Sequence, residues 1–141
     1  MIIDNELLLS DEQAICDAGT TEYSTALDLS VARNVAKGEP LCVVIVVNEA
    51  FAGTGTTLTI SLVTATASNL TTGQKVLYST PAMAKASLTA GRTPIILPIP
   101  PEAFAGSGQR YFGLKYVGDN TFETTGQITA FVQPMSMIQA N

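Results

Sequence analysis

The sequence predicts an all-β domain: a two-sheet antiparallel β-sandwich, a jelly roll of about eight strands. Three observations predict it. The run Leu41 to Val47 is unbroken apolar and mostly β-branched, bounded by Gly38-Glu-Pro40 and Asn48. Branched side chains are stiff at χ1 and pack well on a pleated surface, so this run favours a strand over a helix. Two further stretches, Thr57 to Leu62 and Gln109 to Val117, alternate apolar and polar residues as half-buried strands do. Finally, Gly, Pro and Asn punctuate the chain at short intervals, and no long stripe of helical period intervenes.

The chain has 141 residues, which suits one domain with a sizeable core. That domain spans 1–141, with residues 1–12 read as an N-terminal arm and 135–141 as a C-terminal tail. Met1 to Leu9 mixes apolar residues with Asp4 and Glu6 and has no clear period. Ser10-Asp-Glu-Gln13 matches a helix capping box, but no helical stripe follows, so a turn is the most it predicts. Gln13 to Ala18 is compatible with a short strand. Gly19-Thr-Thr signals a turn, and Tyr23 to Leu29 alternates as a half-buried strand. Ser30 to Lys37 reads as a connection ending at Gly38.

Leu41 to Val47 is the central strand. Alternation places Leu41, Val43, Ile45 and Val47 on one face and Cys42, Val44 and Val46 on the other. At roughly 1.5–3 kcal/mol per large apolar side chain, its burial is worth on the order of 10 kcal/mol before entropy. The larger set is assigned to the space between the sheets. The outward row Cys42, Val44 and Val46 then needs a cover, either the chain's own arm or another subunit. The expectation here is a subunit interface.

Beyond Asn48, Ala50 to Gly55 is a Gly/Thr loop. Leu58, Ile60 and Leu62 point inward, with Thr57, Thr59 and Ser61 outward. Ala65 to Gln74 is a long loop of small residues, and Val76 to Ser79 a short strand. Ala84 to Leu88 fits a helical turn or a strand equally. Pro94 to Ile99 is extended; its prolines lack an N–H and place it at an edge. Pro100 to Gly108 is a loop. Gln109 to Val117 turns Phe112, Leu114 and Tyr116 to one face, with Tyr116 assigned to the core. Gly118-Asp-Asn120 is a turn, and Gln127 to Gln133 the last strand, ended by Pro134.

Composition narrows the chemistry. Charged residues make up only 13%, which leaves a neutral polar surface suited to packing against something. The net charge is −5, and the basic residues Arg33, Lys37, Lys75, Lys85, Arg92, Arg110 and Lys115 are scattered, so nucleic acid is not an expected partner. Met1-Ile-Ile-Asp lacks the basic start and apolar core of a secretory signal. The longest apolar run falls well short of a membrane span, so no membrane partner is expected. Cys16 and Cys42 allow one disulfide at most and read as free thiols, with Cys42 buried as a small hydrophobe.

The chain has no histidine, which removes Ser-His-Asp and Cys-His nucleophiles and His-based metal sites. Ala52-Gly-Thr-Gly-Thr lacks the Lys of a phosphate loop. Asp119, Glu123 and Glu102 leave a carboxylate pair formally open, but solvated loop charges are the plainer reading. Calcium at Asp119 and Asn120 has no ordered acidic loop to support it. No catalytic residue, cofactor or metal is expected.

Taken in order, several stretches carry a likeness. They are Leu8-Leu-Ser-Asp-Glu-Gln-Ala14, Leu27-Asp-Leu29, Gly38-Glu-Pro-Leu41 and Glu49-Ala-Phe51. Later come Ala84-Lys-Ala-Ser-Leu88, Ala90-Gly91, Leu97-Pro98 and Arg110-Tyr-Phe-Gly-Leu114. This ordered set resembles the small jelly-roll capsid cement, or decoration, proteins of short-tailed bacteriophages. The loops Ala65 to Gly73 and Ala103 to Gly108 and the tail after Pro134 match least. The resemblance implies a dimeric subunit bound to the outer surface of an icosahedral head, bridging major capsid proteins, and assembled in host cytoplasm. The implied partners are the major capsid protein and a second copy of the chain. The competing reading is a carbohydrate- or receptor-binding sandwich of a fibre; the lack of tryptophan counts against it. A glycosidase is a distant third.

Overall fold

A computed structural model of the chain describes residues 5–17, 19–30, 40–100, 109–122 and 125–137. Its strands are β1 (Leu8–Ala14), β2 (Thr21–Tyr23), β3 (Leu27–Asp28), β4 (Leu41–Glu49), β5 (Thr57–Ala65), β6 (Lys75–Ser79), β7 (Met83–Ala84), β8 (Ile95–Pro98), β9 (Tyr111–Gly118) and β10 (Gln127–Pro134). One sheet runs β1-β10-β4-β8. The other runs β2-β9-β5-β6, with β3 also on β9 and β7 also on β5. Every pairing is antiparallel. Counting β2 with β3, and β6 with β7, as interrupted single strands leaves eight in jelly-roll order.

The apolar runs explain the layers. Val43, Ile45 and Val47 of β4 face Leu58, Ile60 and Leu62 of β5 and Phe112, Leu114 and Tyr116 of β9 across one core. Ile128, Ala130 and Val132 of β10 and Leu97 of β8 complete the inner face of the first sheet. Leu41 packs at its margin. The inward set assigned to the central strand therefore faces the space between the sheets, with Leu41 half-buried, and Tyr116 is a core residue. Strand β8 lies at a sheet edge, as Pro94 and Pro98 require.

Three expectations need correction. Residues 1–12 are not an arm throughout. Leu8–Ala14 is an edge strand on β10, with Leu9 buried and register shifts between Leu8 and Ser10 and between Ser10 and Gln13. The shifts break the alternation that would have marked it. The Ser10–Gln13 pair does form, with Ser10 Oγ donating to Gln13 Oε1 at 2.7 Å, but it spans this irregularity instead of capping a helix. The stretch Tyr23 to Leu29 is two strands. Ser24 exchanges bonds with Leu114, its hydroxyl accepting the Leu114 N–H at 2.9 Å, and Thr25 N–H turns to Leu9 O of the other sheet at 2.9 Å.

At the other end of the chain, Met135–Met137 form a 3₁₀ turn, and the rest of the tail lies outside the described residues. So do most of the connection from Ser30 to Lys37 and the loop 101–108. Ala84 to Leu88 takes a little of both options, with Met83–Ala84 in a strand and Lys85–Ser87 in a 3₁₀ turn.

Candidate functional surface

The outward face of the first sheet carries a row across all four strands. Leu8 pairs with Phe131, Phe131 with Val44, and Val44 with Ile96. Cys42, Val44 and Phe131 form one cluster there, with Leu8 and Val46 packed on it. The structure thus brings Cys42, Val44 and Val46 together on the predicted face. Cys42 and Phe131 are 0% and 1% exposed and Val44 is 4% exposed within the single chain, while Val46 is half-buried and Ile96 is 38% exposed. Leu8, from the segment read as an arm, supplies part of the cover. Sequence reasoning missed Phe131, which only the β10–β4 register places beside Val44.

Of the carboxylates considered for chemistry, Asp119 is engaged. Asp119 accepts from the Thr56 hydroxyl and from the Thr56 and Thr57 N–H groups at 2.7 and 3.0 Å. Those bonds, the Thr56 hydroxyl first, lower its pKa to about 2. Asp119 therefore pins the β9–β10 turn to the start of β5. Asn120 accepts from the Thr121 N–H. Glu102 and Glu123 lie outside the described residues. Among the described residues no group of three or more metal-ligating side chains converges. Tyr111 is half-buried on the outer face of its sheet, opposite in direction to Tyr116, so the two make no shared platform.

The same end of the sandwich is closed by Phe51 and Phe122, edge to face with centroids 4.9 Å apart. Around them, Phe122 N–H donates to Cys16 O at 2.9 Å and Gly55 N–H to Thr121 O at 2.7 Å. Cys16 is buried in the core and Cys42 in the outer cluster, and both are free. Burial pushes the Cys16 thiol up to about 11 and raises Cys42 as well.

Charge is distributed unevenly. Residues 50–101 contain Lys75, Lys85 and Arg92 and no Asp or Glu. They read as scattered along the sequence, yet β6, β7 and β8 and their connections carry all three. The signal that could have found them is the absence of acids over that half-chain, not any local cluster of bases. Among the described residues no helix is long and apolar enough to cross a membrane.

A comparison with curated proteins finds no match. The Bbp16 family matches residues 9–132, which takes in the sandwich from β1 to β10. The chain belongs to the Bbp16 family, a phage-associated family.

Proposed function

We propose that this protein is a structural decoration protein of a phage head. It binds the outer surface of the shell and stabilises it by bridging major capsid proteins, acting as a homodimer and without catalysis, cofactor or nucleic acid. The observation that carries the reading is the match to a phage-associated family over nearly the whole sandwich. A small domain with its carboxylate Asp119 committed to tying loops, and with no histidine, supports a binding role over a chemical one. The net charge of −5 fits an outer surface better than one that faces DNA, and half-buried Val46 and exposed Ile96 leave apolar area at the margin of the outer row for a protein partner.

The test is to mix the purified protein with heads assembled without it. Saturable binding with raised thermal stability of the shell is the expected result. Binding to a glycan array with no binding to shells would replace this reading with the receptor module.

A further inference from the structure

The two flanks of the sandwich are built differently. At one flank, β1 and β2 are joined by bonds between the sheets: Thr25 N–H to Leu9 O at 2.9 Å, and Gln13 Nε2 to Tyr23 O at 2.9 Å. The sheet orders then place β8 and β6 together at the other flank. The first flank is acidic, carrying Glu6, Asp11, Glu12, Asp17 and Glu22, with Asp28 paired to Arg110. The second carries Lys75, Lys85 and Arg92, and none of them meets a carboxylate among the described residues. On β6 it also holds two of the four exposed large apolar side chains among the described residues, Val76 at 54% and Tyr78 at 43% exposure.

We propose that the β6–β8 flank is a docking surface for an acidic protein surface, namely the exterior of the shell. This rests on the preceding reading of the protein as a shell-binding subunit and names where it binds. Lys85 and Arg92 donate to backbone carbonyls and meet no carboxylate, and Lys75 adjoins the exposed Val76 on β6. Cations without carboxylate partners steer an anionic surface in, and exposed apolar side chains then hold it by desolvation.

Strand addition is not the mode. β6 carries a register shift against β5, and β8 is limited by Pro94 and Pro98, so both edges are blunted. Side chains must make the contact. A second copy docked about a two-fold axis would oppose like cations. A copy docked head to tail, acidic flank against basic, forms rings or open chains and leaves the shell without a contact. Nucleic acid is disfavoured because Lys75 and Lys85 stand at opposite ends of β5, within a protein of net charge −5.

The experiment compares the whole protein with Lys75→Glu and with a triple variant, Lys75→Glu, Lys85→Gln and Arg92→Gln. Lys75 is an exposed edge residue, so its single variant keeps the test alive if the triple variant does not fold. Binding to heads lacking the protein is measured at low and high salt, with sedimentation of the protein alone and binding to duplex DNA alongside. Expected is shell binding that weakens with salt, reduced about tenfold or more in the triple variant and less in the single one, with a weaker salt dependence in both. Equal shell affinity and salt dependence for all three proteins would overturn the flank and leave shell binding standing. No shell binding by the unaltered protein would sink the reading of function and the flank with it. Salt-sensitive self-association abolished by the substitutions would assign the flank to a second copy, and DNA binding lost with them would assign it to nucleic acid; either overturns the proposal.

Discussion

Leu70 lies over Gly113, so that a Cβ built on the glycine would come 2.6 Å from Leu70 Cδ1. Leu70 is fully buried in a small cluster with Val63 and Ala65, on the outer face of the second sheet. Its backbone sits at φ +62°, an uncommon conformation for a leucine, where Gln74 Nε2 donates to its carbonyl at 2.6 Å. The long loop between β5 and β6 is therefore a plug, seated where a strand of the sheet lacks a side chain. Gly113→Ala is expected to cost about 1–3 kcal/mol by overpacking. Leu70→Ala is expected to cost about 2–5 kcal/mol. Because the two share one space, the double variant should lose less than the separate losses added together. Urea unfolding of the three variants measures this; strict additivity would place the cost of the added methyl at Ser24 Oγ, 2.9 Å from it, instead of at Leu70.

The buried Tyr116 hydroxyl makes a second pair informative. It lies 2.8 Å from Ser10 Oγ, and Ser10 in turn donates to Gln13 Oε1. Burial holds the phenol protonated far above its ordinary range. Ser10→Ala leaves that hydroxyl unpaired in the core, at about 1–3 kcal/mol, whereas Tyr116→Phe leaves Ser10 with its bond to Gln13. Ser10→Ala should therefore be the more damaging of the two in thermal melting. The reverse order would mean that packing around the ring, not the hydroxyl pair, dominates.

Much of the sandwich was legible in the sequence because its central strands obey the period of the pleat. Val43, Ile45 and Val47 of β4 and Leu58, Ile60 and Leu62 of β5 face the common core as the pattern names. What stayed hidden has physical causes. Two register shifts remove the alternation from β1, so its polar Ser10-Asp-Glu-Gln13 reads as a turn. The Ser24–Leu114 bonds interrupt a strand that the side chains describe as continuous. Leu70 reads as a lone apolar residue in a polar loop because its partner is a missing side chain. Lys75, Lys85 and Arg92 come to one flank only through the order of the strands, with Lys75 at one end of β5 and Lys85 at the other. Of the outward row, Cys42, Val44 and Val46 could be named from parity, but Phe131 and Leu8 could not.

Acid should loosen two ties between strands. Asp119 is lowered from 3.8 to about 2 by the Thr56 hydroxyl and the Thr57 and Thr56 amides. Asp28 is lowered to about 2 by Arg110, which it meets at 2.6 and 2.7 Å, and by the Ser30 amide. A carboxylate with a depressed folded pKa holds its proton less tightly when folded. Its contribution is full above about pH 4 and fades as pH falls towards 2. Both groups are exposed, and the expected effect is modest and screened by salt. The melting temperature should fall across that window, and Asp28→Asn and Asp119→Asn should each flatten the slope. An unchanged slope in both variants would place the acid sensitivity elsewhere.

The thiols should behave as buried hydrophobes. Their raised pKa values leave little thiolate near neutral pH, and thiolate is the reactive form. Alkylation of the folded protein at pH 8 should be slow at Cys16 and Cys42, and both should react at once in denaturant without reductant. A pair that stays unmodified in denaturant until reduced would reveal a disulfide.

The outer face of the first sheet offers the clearest separation between folding and assembly. Ile45 is wholly buried in the core, and Ile45→Asp should unfold the domain by burying an unpaired charge. Val44 is 4% exposed and packs with Phe131 within the single chain, so Val44→Asp should also cost stability and cannot by itself report on a subunit. Val46 can. It is half-buried, its cross-strand neighbour is Thr129, and it borders the apolar row. A carboxylate there can reach solvent in an isolated chain but not beneath a second copy. Val46→Asp should melt within a few degrees of the unaltered protein and sediment as a monomer where that protein sediments as a dimer. If Val46→Asp folds and still sediments as a dimer, the second copy sits on another surface. If it unfolds as completely as Ile45→Asp, that face belongs to the interior of the chain.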